Sequence, residues 1–63
     1  MKQFVAVQPE PYARLILVNV SQIERIEEGP FGNGSCMTLL YMTNGDVLKT
    51  TENIYDLARE LNE

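Results

Sequence analysis

A chain of 63 residues has room for one domain, 1–63, which buries only roughly 60% of its unfolded surface and so needs reinforcement. Cys36 is the only cysteine and histidine is absent, which excludes an internal disulfide and a closed zinc site and leaves self-association as the route to added stability. Nine acidic residues stand against five scattered cations, Lys2, Arg14, Arg25, Lys49 and Arg59, for a net charge of -4; without a basic stripe to neutralise phosphates, nucleic acid is a disfavoured partner.

Phe4 to Val7 is a short strand candidate that Pro9 and Pro11 stop, since proline cannot donate to a sheet ladder. Gln8, Pro9 and Glu10 also cut this apolar run short of a secretion-signal core. No run approaches the roughly 20 apolar residues of a membrane span. The expectation is therefore a cytoplasmic protein with Cys36 reduced. After a turn at Pro9-Glu10-Pro11-Tyr12, Arg14 to Val20 is rich in strand formers. Leu15 and Leu17 alternate with Ile16 and Val18, so this segment is expected as a central strand covered on both faces.

Ser21 to Gly29 supports two readings. Ser21 with Glu24 makes a capping box, Ile23 and Ile26 share a helical face, and Gly29 could stop a helix. The competitor is a turn at Val20 to Gln22 leading into a strand, which alternation supports less well because Ile23 and Ile26 then fall on opposite faces. Gly29 to Ser35 follows as a glycine-rich loop. It is not a phosphate cradle, because its spacing matches no phosphate-binding motif, no lysine follows and no helix opens from it. Asn33-Gly34 is expected to turn the chain, with Phe31 packed down or exposed as a contact.

Cys36 to Met42 is an apolar strand with Met37, Leu39 and Tyr41 on one face and Cys36, Thr38, Leu40 and Met42 on the other. Asn44-Gly45 predicts a tight two-residue hairpin turn into Val47 to Thr50. A helix capped by Thr50 or Thr51 then carries Ile54, Leu57, Ala58 and Leu61 as its apolar stripe. The fold class is α+β: a small antiparallel sheet of four to five strands with one C-terminal helix packed on one face, Leu40 and Leu48 beneath it. One helix cannot cover both faces of such a sheet. The remaining apolar face, with Phe31, Met37, Leu39, Tyr41, Leu15 and Leu17 as interface candidates, calls for a second copy or another protein.

Groups for chemistry are sparse. Glu24, Glu27 and Glu28 would share a side of a helix and could bind a hard cation, but read more simply as a solvated acidic face. Cys36 has no histidine to activate it and reads as a small core residue. Tyr12, Tyr41 and Tyr55 read as packing or interface aromatics. No catalytic residue, metal ligand or cofactor site is assigned, and the chain is not expected to be an enzyme.

The run Leu17-Val18-Asn19-Val20-Ser21-Gln22-Ile23-Glu24-Arg25-Ile26-Glu27, then a loop, Thr38 to Met42, Thr43-Asn44-Gly45 and a closing helix, resembles the flagellar FlbD family of small bacterial proteins. A similar pattern closes the LytTR-type DNA-binding domain. In both, an asparagine and a short turn precede an Ile-x-x-Ile strand. The resemblance covers residues 15 to 61 and implies that Ile23 to Glu28 is a strand. It does not carry a DNA-binding role, because the clustered basic residues of the LytTR-type second half have no counterpart here. Where the flagellar proteins begin with a strand and a second Asn-Gly turn, this chain has Pro9-Glu10-Pro11.

The function expected is a non-catalytic interaction or regulatory module that acts through protein–protein contacts as a homo-oligomer. The alternative is a small acidic inhibitor, of the kind viruses and mobile elements encode, that occupies the basic site of a nucleic-acid-handling protein.

Overall fold

The computed structural model describes residues 3–32 and 36–62. In chain order the elements are β1 (Phe4–Val7), β2 (Ile16–Asn19), a 3-10 turn at Val20–Gln22, β3 (Ile23–Phe31), β4 (Cys36–Met42), β5 (Val47–Thr50) and α1 (Ile54–Leu61). The class is α+β with a C-terminal helix, but the strands form two antiparallel sheets, β1-β2 and β3-β4-β5, where one sheet is expected from the sequence. The split follows from the Val20–Gln22 turn. Asn19 caps it, its Oδ1 accepting from the Ser21 N–H at 3.1 Å and the Ser21 hydroxyl at 2.9 Å, so the chain leaves the first sheet and enters a second.

Ile23 to Glu28 is strand, as the resemblance implies and against the helical periodicity. The register explains why alternation fails there. Ile23 pairs with Met42 and Arg25 with Tyr41, so Glu24 is an extra residue that flips the strand's facing. Ile23 and Ile26 thereby both pack against the core. β3 runs on through Gly29 and a cis Gly29-Pro30 bond to Phe31, where a loop is expected from the glycines. Pro30 is tolerated because β3 is an edge strand, paired among the described residues with β4 alone. Gly29 is required by close approach: a Cβ would meet the Met37 carbonyl oxygen at 2.8 Å and that of Cys36 at 2.9 Å. The Asn33-Gly34 turn lies outside the described residues.

The β4–β5 connection is looser than the expected two-residue turn. Gly45 alone takes a positive φ, of 93°. Asn44 contributes its side chain, Oδ1 accepting from the Asp46 N–H at 2.9 Å. Neither Thr50 nor Thr51 caps the helix. Asn53 does, its side chain accepting from the Asp56 N–H at 2.8 Å. Thr50 is fully buried instead and holds the preceding corner: its Oγ1 accepts from the Glu52 N–H at 3.1 Å, while the Thr38 hydroxyl donates to the Glu52 carbonyl at 2.7 Å.

Val5, Val7, Val18, Leu40 and Leu57 form the core between the two sheets and the helix, with Leu48 and Leu61 packed at its margin. Leu40 and Leu48 thus share the core with the helix, as expected, whereas Ala58 is exposed. Just past the two strands, the Thr51 N–H donates to the Gln8 carbonyl at 2.9 Å and ties the end of β1 to the end of β5. β2 is not a central strand covered on both faces. β1 is its one ladder partner among the described residues, and only Val18 of the strand is buried. A single short helix already committed to the three-stranded sheet leaves the outer side of β2 open.

Candidate functional site

The six interface candidates fall on three separate regions. Met37, Leu39 and Tyr41 lie on the outer face of β4, half-buried, opposite Glu27, Arg25, Lys49 and Val47 of the flanking strands. The Tyr41 part of this face is occupied by neighbouring side chains. The Arg25 guanidinium stacks over the Tyr41 ring at 4.0 Å from the centroid. The Tyr41 hydroxyl donates to Glu27 Oε1 at 2.9 Å, and that hydrogen bond raises its pKa above the usual tyrosine value of 10.0. Arg25 also lies 3.6 Å from Glu27 Oε2, and Lys49 pairs with Glu10 at 3.4 Å. Such exposed pairs contribute only about 0–1 kcal/mol each, so they shape the face more than they stabilise it.

Phe31 ends β3 half-buried opposite Cys36, and by that pairing lies on the Cys36, Thr38 and Leu40 face of the sheet, not on that of Met37. Leu15 and Leu17 sit on the first sheet and are 68% and 71% exposed. The pairings Val5 with Val18 and Ala6 with Leu17 put the valines inward and Leu17 outward. By the same alternation Phe4 and Leu15 join Leu17 on the outer side, and Ile16 is itself 42% exposed at the end of the strand. Tyr12, at the tip of the preceding turn, is wholly exposed and holds a positive φ of 65°, which is costly for a bulky residue. The largest uncovered apolar surface is therefore on β1–β2. Phe4 and Ile16 belong to it and escape sequence reasoning, which treats β2 as central; the weak cue for Phe4 is its alternation with Val5 and Val7.

The groups considered for chemistry are not brought together. Glu24 and Glu27 lie on the Arg25 side of β3, 3.8 and 3.6 Å from its guanidinium, while Glu28 pairs with Thr38 on the other face, so the three carboxylates do not converge. Cys36 is buried, its Sγ 3.5 Å from the Thr38 carbonyl oxygen. Tyr55 is exposed on the helix. Among the described residues, no three His, Cys, Asp or Glu side chains converge as a metal site, and no helix is long and apolar enough to cross a membrane.

One carboxylate pair is distinctive. Burial raises the Glu52 pKa above the ordinary 4.5, and a hydrogen bond to Glu60, together with the negative charge of Glu60 and Asp56, adds to the effect. The bond exists only when a proton is shared. With both groups ionised, Glu60 Oε2 is buried without a partner.

No protein-family model, curated protein or solved structure matches the chain.

Proposed function

We propose that this protein is a non-catalytic interaction module that works through protein–protein contacts as a homo-oligomer. One observation supports the reading above the rest: the uncharged run Leu15-Ile16-Leu17-Val18 exposes three large aliphatic side chains, on a strand whose outer edge has no ladder partner among the described residues. Fully burying such a side chain is worth about 1.5–3 kcal/mol. In a domain this small that is a large share of total stability. A reducing cytoplasmic setting suits the single thiol. Light scattering across a concentration series tests the reading: assembly beyond the monomer is expected, and a monomer at every concentration would overturn it.

A second reading rests on charge placement. Residues 1–23 carry Lys2 and Arg14 against Glu10, and every other acidic residue lies in residues 24–63. Glu24, Glu27 and Glu28 are exposed along the β3 edge. That acidic half could occupy a basic groove on a nucleic-acid-handling protein. The expected signature is salt-sensitive competition with nucleic acid for such a protein, and a salt-insensitive interaction would count against it.

A further inference from the structure

Resting on the homo-oligomer reading, we infer that the second copy docks on β2 itself, by antiparallel pairing of β2 with its mate across a two-fold axis at Ile16. The ladder fixes which backbone groups are available. Val20 N–H donates to the Gln3 carbonyl at 3.0 Å, continuing the β1–β2 register. In an antiparallel ladder bonded pairs alternate, so Val18 and Ile16 also point their N–H and C=O groups toward β1. Leu15, Leu17 and Asn19 therefore turn theirs outward along the free edge. An antiparallel copy offers the same pattern in reverse, which makes the edge self-complementary.

Charge selects the same place. From Pro11 to Ile23 the chain has no acidic residue, and Arg14 is its one charge. Two copies of a protein of net charge -4 meet here without bringing carboxylates together, while their acidic portions remain apart. Side chains select the register. With Ile16 on the axis, Leu15 of each copy pairs with Leu17 of the other, and the most exposed leucines cover one another. A shift to Leu17 on the axis would instead set Leu15 against Asn19, whose side chain already caps the turn at Ser21. The other edges do not compete. β3 is charged, bulged and interrupted by Pro30, and the end of β5 meets Gln8 and Glu10. Two-fold pairing uses the β2 edge of both copies, so the assembly closes at two.

Ile16 would form a pair without backbone bonds across the axis, with Cα atoms about 4.5 Å apart, a separation a disulfide spans. The test is Ile16→Cys under mild oxidation, with wild type as control because Cys36 is buried. Leu17→Cys and Leu39→Cys report the shifted register and the β4 face. A covalent dimer is expected from Ile16→Cys and not from the others. Should Ile16→Cys fail to fold, N-methylation of the Leu17 amide in a synthetic chain provides a second route. It removes an outward donor and leaves the bonds to β1, so a folded monomer is expected. Dimers that persist in the methylated chain, or that cross-link through Leu17→Cys or Leu39→Cys, would overturn this inference and leave the homo-oligomer reading standing. Monomers throughout would end both.

Discussion

At the residue scale, the two positions that matter most are invisible to periodicity. Gly29 looks like loop punctuation in the sequence, yet it lies inside a strand where β4 backbone oxygens leave no room for a Cβ. Gly29→Ala is expected to lower stability by about 1–3 kcal/mol, as overpacking does, and urea denaturation would show it. Glu52 is the second. Its folded-state pKa lies above the ordinary value, so the native state binds that proton more tightly than the unfolded chain. The stabilisation is present at low pH and lost as pH rises from about 4.5 through the raised value. Glu52→Gln keeps a donor for Glu60 at all pH values. Denaturation midpoints should therefore be higher than wild type at neutral pH and should depend less on pH on the acid side; an unchanged pH profile would contradict this.

Among the elements, strands and helix are legible where local pattern and tertiary context agree. Phe4–Val7, Cys36–Met42 and Val47–Thr50 follow from composition and alternation, and the helix from its stripe. β3 is not legible that way. One inserted residue at Glu24 breaks its alternation, and a bulge has no sequence signature of its own. Capping fails for a related reason. Thr50, Thr51 and Asn53 are all competent caps, and only the burial of Thr50 against Thr38 takes it out of contention. Asn53→Ala should cost about 1 kcal/mol in thermal or chemical unfolding, while Thr51→Ala should leave the helix start unaffected.

For the whole molecule, the core joins Val5, Val7 and Val18 of one sheet to Leu40 and Leu57 of the other layer, so the two sheets form one folding unit. Leu57→Ala is expected to cost about 2–5 kcal/mol, with both sheets lost in a single transition by circular dichroism and tyrosine fluorescence. The exposed surface was only half legible. Leu15 and Leu17 stand out in sequence as apolar residues in need of cover, but their exposure depends on the chain dividing into two sheets, which no local pattern encodes. Met37, Leu39 and Tyr41 show the converse. They look uncovered by alternation, and the neighbouring Arg25 and Glu27 lie across the Tyr41 part of that face.

Cys36 gives the chain a built-in clock. A single thiol, 7% exposed at the start of the central strand, reacts with an alkylating reagent only when that end of the molecule opens. Labelling followed by mass spectrometry therefore times local opening without any introduced probe, in a protein that has no tryptophan to report it. At limiting reagent the labelling rate should scale with reagent concentration, and at high reagent it should level off at the opening rate.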